Sequence, residues 1–147
     1  MKRFSEYLYR KSNIYLAIAA TCVMIAYASQ IMGSKSELIT SELHDGDSLL
    51  GLKLGYGVEY ARQLLSYLST SALEQYSTLL LIWDNLFPFT YCAMYLLWLS
   101  LIYKIIKFKK PSWKLINLYP LLPFIADLIE NYFERNLVES ALNFTSL

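Results

Sequence analysis

Charge is what this chain has least of. Only 17% of its 147 residues are Asp, Glu, Lys or Arg, against about a quarter in an ordinary soluble domain. With 56% hydrophobic residues and a mean hydropathy of +0.33, it lacks the polar cover that a water-facing surface needs. It has a single histidine, His44, and two cysteines, Cys22 and Cys92, that form no C-x-x-C pair. That removes the basis for a Cys/His zinc site and for a thiol–disulfide relay. No G-x-S-x-G, P-loop or H-E-x-x-H pattern occurs, so no familiar hydrolase, nucleotidase or metalloprotease centre is present. A net charge of +1 offers no basic field for nucleic acid, and no cofactor or metal is expected.

What the chain has instead is long uncharged runs. Residues 12–34 form 23 consecutive uncharged positions, "SNIYLAIAATCVMIAYASQIMGS". About 20 apolar residues cross a bilayer's hydrocarbon core, so a first span is expected over about 13–33. Lys2, Arg3, Arg10 and Lys11 precede it. "AYAS" at 26–29 also fits the cleavage site of a signal peptide, but the uncharged run continues past it, which favours an anchor. Either way, residue 35 onward lies outside the cytoplasm.

A second span is expected over about 76–104. "SALE" at 71–74 has the spacing of a capping box, and the apolar run that follows carries one charge, Asp84. The run ends at "KIIKFKK" and Pro111. A helix from 72 to 106 would be about 52 Å long, longer than a ~30 Å hydrocarbon core, so it should tilt, kink or protrude. Trp98, Tyr103 and Trp113 suit an inner aromatic belt. A third span is expected over about 115–133. Nine of the 13 basic residues lie before the first span or between Lys104 and Lys114, the side that the positive-inside rule makes cytoplasmic. The third span then runs outward.

Between the first two spans, residues 35–75 form an extracytoplasmic segment. Its first part is turn-rich, with Gly46, Gly51, Gly55 and Gly57 as breakers. Val58, Ala61, Leu65 and Leu68 then recur at helical spacing, as expected of an amphipathic helix on the outer interface. The final stretch, with Leu137, Ala141 and Phe144 near helical spacing, reads as a short interfacial tail.

The chemistry-bearing residues are acids placed where hydrocarbon is expected. "PFIADLIENYFE", 123–134, carries Asp127, Glu130, Asn131 and Glu134. Asp127 and Glu130 are three apart and Asn131 is four from Asp127, so the three share a helix face. On the second span, Asp84 is followed by Asn85, and Pro88 has no N–H for the Asp84 carbonyl four residues back. Counted from the inner anchors, both groups fall in the outer halves of their spans. Ionisable residues at such depth usually face a bundle interior or a water-filled cavity. Asp84, Asn85, Asp127, Glu130 and Asn131 are therefore the candidate ligand-binding residues; no catalytic residue is assigned. "HDGD" at 44–47 lacks the remaining ligands of a zinc or calcium site and reads as a polar turn.

The D-x-x-F-P-x-x-Y run of Asp84, Phe87, Pro88 and Tyr91, followed by the A-D-L-x-E-N run of Ala126, Asp127, Leu128, Glu130 and Asn131, resembles an uncharacterised family of small bacterial integral membrane proteins. The resemblance covers roughly residues 55–131. It implies four spans, of which this chain shows three, and brings no known reaction with it. The expected fold is an all-α membrane helical bundle of three visible transmembrane helices plus an outer interfacial helix, forming one domain over 1–147. It would sit in the cell membrane, the bacterial inner membrane, as a multi-pass protein with its N-terminus in the cytoplasm. The expected partners are the lipid bilayer and either a second copy of the chain or another membrane protein. The leading functional expectation is a polar intramembrane site for a cation, a proton or a small polar or lipid ligand. The alternatives are a non-catalytic assembly or accessory subunit and a membrane-embedded acid/base enzyme.

Overall fold

A computed structural model describes residues 2–53, 55–106 and 111–145, and the regular structure among them is helical, with no strand. The α-helices are α1 (Lys2–Lys11), α2 (Ile14–Ala26), α3 (Gly33–Ser41), α4 (Val58–Tyr67), α5 (Thr70–Thr78), α6 (Asn85–Ile106) and α7 (Leu121–Thr145). π-helical turns at Tyr27–Met32 and Leu79–Asp84 join α2 to α3 and α5 to α6. The two resulting runs, Ile14–Ser41 and Thr70–Ile106, are the described helices long and apolar enough to cross a membrane. The first stays helical to Ser41, beyond the expected end near residue 33.

The third expected span is divided. Pro111–Leu118 forms a 3-10 segment, Tyr119 and Pro120 make a turn, and α7 starts at Leu121. Pro123 falls in the first turn of α7, where its missing N–H costs nothing. The helix then runs unbroken to Thr145, so the expected interfacial tail is its last part. Carrying Asp127, Glu130 and Glu134, α7 is not among the helices apolar enough to cross a membrane. The Trp113 side chain and Lys107, Lys109 and Lys110 lie outside the described residues.

The chain divides into two compact units, one of Met1–Ala28 with Phe87–Ala126 and the other of Ser29–Leu86 with Asp127–Leu147. Their charges are opposite. Nine of the basic residues and one acid, Glu6, belong to the first, net +8; four basic and eleven acidic residues belong to the second, net −7.

In the first unit, Cys92, Leu96 and Leu118 form a core against Leu8, Tyr91, Leu121 and Phe124. Asn117 is the polar centre. It accepts the Ser5 hydroxyl at 2.8 Å and donates to the Ser5 carbonyl at 3.1 Å and the Ser100 hydroxyl at 3.0 Å, all three residues being buried. These bonds fix α1 on the 3-10 segment. Lys104 donates to the carbonyls of Arg10 and Ser12, which the end of α1 leaves without helical partners. The Trp98 indole donates to the Thr21 hydroxyl at 2.9 Å.

In the second unit, Ile39, Leu50, Leu64, Leu73, Tyr76, Leu80 and Val138 are almost fully buried in one cluster. The amphipathic helix expected near residue 58 is α4, and it buries Ala61, Leu64 and Leu65. Val58, expected on its apolar face, is instead exposed. The segment before it is latched by tyrosines. Tyr76 accepts the Leu50 N–H at 2.9 Å, and Tyr60 donates to Asp47 at 3.2 Å. Gly46 and Gly55 hold φ of 90° and 77° there, which other residues adopt only with strain. The expected capping box at 71–74 is displaced by two residues. Ser69 caps α5, accepting the Ala72 N–H at 3.2 Å.

Candidate functional site

The acids of the second unit come from two helical runs. Asp84 closes the π-helical turn Leu79–Asp84, just ahead of Pro88. A widened turn leaves carbonyls out of the regular ladder, and Asn85 supplies the missing donors, bonding the Leu80 and Leu81 carbonyls through Nδ2 at 2.8 and 3.0 Å. Both hydrogens of the Asn85 amide are thus committed to its own helix, and its oxygen is the group left to offer a ligand.

On α7, Asp127 is half-buried, Glu130 exposed, Asn131 6% exposed and Glu134 only 2% exposed. Asp84 lies within electrostatic reach of Asp127 and Glu130, and Glu134 lies within reach of Glu130 and Asp84. The fold therefore gathers the expected Asp84, Asp127 and Glu130 into one negative field and adds Glu134 to it.

Glu134 was not among the candidates from sequence, although the signal was there: 127, 130, 131 and 134 follow the i, i+3, i+4, i+7 repeat of a single helix face. Its Oε1 accepts the Tyr56 hydroxyl at 3.1 Å. Its Oε2 is buried without a hydrogen-bond partner of ordinary geometry, although the Gly51 amide lies near the carboxylate. A Cβ on Gly51 would stand 3.3 Å from that oxygen, so the Leu50–Leu52 turn is pressed against it. Nδ2 of Asn131 is likewise buried and unbonded. Burial, followed by the charge of Glu134, pushes the Tyr56 phenol up to about 12, so Tyr56 is a hydrogen-bond donor throughout the neutral range.

The four carboxylates are strung along helix faces. Among the described residues, no three His, Cys, Asp or Glu side chains converge as a metal ion requires. His44 packs edge-on against Tyr67 with ring centres 4.4 Å apart, and Asp47 takes the Tyr60 hydroxyl, so "HDGD" serves the latch of its own segment. Compared with protein-family models, curated proteins and solved structures, the chain matches none.

Proposed function

We propose that this is an integral membrane protein that crosses the bilayer at about 13–33, 76–104 and 115–133 with its N-terminus in the cytoplasm. Asp84, Asn85, Asp127, Glu130 and Asn131 form a polar site near the outer face that binds a cation, a proton or a small polar or lipid ligand. The observation that carries this reading is the gathering of Asp84, Asp127 and Glu130 within one another's field. Like charges brought together from separate segments repel unless a proton or cation compensates them. The division of charge supports the orientation, since the net +8 unit holds both basic regions expected on the cytoplasmic side and the net −7 unit holds the acids. The motif pair that resembles the small membrane-protein family falls on these same residues.

The test is thermal unfolding of the full chain in lipid nanodiscs with a panel of inorganic cations, organic ammonium compounds and lipid headgroups, repeated as a function of pH. At least one ligand or protonation step should raise the melting temperature, and Asp84→Asn and Asp127→Asn should each remove the rise. A panel with no effect, or an effect that survives both substitutions, overturns the site.

A second reading, an accessory subunit of a membrane assembly, is favoured by the first run. Only 6% of the most apolar window of Ile14–Ser41 is buried, so that surface needs lipid or another protein against it. Stoichiometric co-purification of one partner, lost in Asp84→Asn without any ligand effect, would put this reading first.

A further inference from the structure

Helix α1 carries a row of exposed cations with no ion-pair partner among the described residues. Arg3, Tyr7 and Arg10 recur at the i, i+4, i+7 spacing of one helix face, and Lys11 follows Tyr7 by one turn. With Glu6 they line a pocket of about 300 Å³. Glu6 stands three residues after Arg3 and four before Arg10, the spacing at which helical ion pairs form. Neither pair forms: the ion pairs among the described residues are Arg62–Glu59 and Arg135–Glu139.

These cations are not needed by their own helix. Basic residues in a last turn often serve its terminal carbonyls, but here Lys104 takes the carbonyls of Arg10 and Ser12. The row is also fixed in direction. On the opposite face of α1, Ser5 is tied to Asn117 and Leu8 packs against Cys92, Leu96 and Leu118. Tyr9 lies edge-on against Tyr103, with ring centres 5.3 Å apart. The cations therefore face away from the unit's core, with the exposed Phe4 and Tyr7 among them.

The depth of the row follows from the chain. Only Ser12 and Asn13 separate Lys11 from Ile14, where the first run long and apolar enough to cross a membrane begins. Three steps at about 3.6 Å each keep Lys11 within about 11 Å of that start. Where the run enters hydrocarbon, the row lies at the level of the lipid headgroups.

We propose that the row binds the phosphate of an anionic phospholipid in the cytoplasmic leaflet. This rests on the reading that the first run crosses the membrane from a cytoplasmic N-terminus; it is independent of the acid site. Arg3 and Arg10 reach the phosphate from one turn on either side of Tyr7, whose hydroxyl is a further donor. Lys11 adds a third charge toward the membrane. Three cations against one acid favour a headgroup with net negative charge over a zwitterionic one. Phe4 and Tyr7 seat the helix at the boundary of headgroups and acyl chains, as in amphipathic helices that lie on a membrane.

The experiment is native mass spectrometry of the full chain in detergent micelles supplied with equal amounts of phosphatidylglycerol and phosphatidylcholine. The chain should retain one phosphatidylglycerol, in preference to phosphatidylcholine by about tenfold or more. Arg3→Gln with Arg10→Gln should weaken phosphatidylglycerol binding by about twentyfold, at about fivefold per cation. Both side chains are exposed, and the Ser5–Asn117 tie is untouched. Lys109→Gln with Lys110→Gln removes the same charge from the other basic stretch and should change binding by no more than about twofold, since distant charges are screened.

Equal retention of the two lipids would overturn the proposal. So would an equal loss in the two double variants, which would make the attraction diffuse. Displacement of the lipid by inorganic phosphate at matched ionic strength would overturn it too, as the mark of a pocket for free anions. If the lipid site fails while the chain stays in membranes through alkaline extraction, the membrane reading stands; if the chain is released, both fall.

Discussion

Glu42, just past the end of α3, accepts both hydrogen bonds that Ser69 can donate, the backbone N–H and the hydroxyl, each at 2.7 Å. Ser69 is at the same time the N-cap of α5. A capping box normally takes its second acceptor from the third residue of the same helix. Here that acceptor comes from a residue 27 positions earlier, and α3 and α5 are joined through it.

This arrangement has a definite acid dependence. The Ser69 hydroxyl, then its backbone N–H, hold the Glu42 carboxyl below its ordinary value of 4.5. The unfolded chain takes up the proton first, so the stabilisation is complete above that value and is lost as pH falls through the lower folded value. Glu42→Gln should therefore melt below the wild type at neutral pH, and the gap should close on acidification. A gap that stays constant with pH would show that the carboxylate charge contributes nothing.

Asn85 holds the π-helical turn by two bonds from one amide. Asn85→Leu should cost about 1–2 kcal/mol, the net worth of those bonds, and should speed amide exchange around residues 79–84. Unchanged exchange there would mean that the turn is held by packing alone.

Asn117 makes three buried hydrogen bonds in the first unit, two to Ser5 and one to Ser100. Asn117→Ala should cost about 2–3 kcal/mol because it leaves buried partners unpaired. Amides of α1 should exchange faster, since Ser5 is its polar tie to the 3-10 segment. Ser5→Ala should produce the same exchange pattern with a smaller loss, about 1 kcal/mol. An α1 that keeps its full protection in Asn117→Ala would contradict this.

Orientation is open to direct chemical test. In a chain with Cys22 and Cys92 replaced, Asp45→Cys should react with an impermeant thiol reagent added outside, and Lys109→Cys should react only after the membrane is opened. The opposite pattern would invert the topology. A mature chain that begins near Ser29 would show that the first run is a cleaved signal.

Local pattern reached a long way in this chain. Two apolar runs of bilayer length, the second carrying only Asp84 and followed by Lys104–Lys110 and Pro111, were readable as helices because apolar length, charge and proline act on the segment that contains them. The position of α4 followed from its 3.6-residue repeat, and the common face of Asp127, Glu130 and Asn131 followed from the same geometry. The limits of that logic show at Ser71, which has the capping-box spacing and yet yields to Ser69, because Glu42 is an acceptor that no local window contains. They show again at 115–118, where a run that looked continuous with the next helix is cut off by the turn at Pro120.

By itself, the sequence determined the helical class, the two long apolar runs and the opposite charges carried by different stretches of chain, since all of these depend on residues within a few turns of one another. Tertiary structure alone decided that Glu134 is enclosed while Glu130 on the same face stays exposed. Its burial depends on Tyr56, 78 residues away, and on the Gly51 turn pressed against its Oε2. Whether a carboxylate is solvated or enclosed depends on what the distant chain brings over it, and helical periodicity holds no information about that.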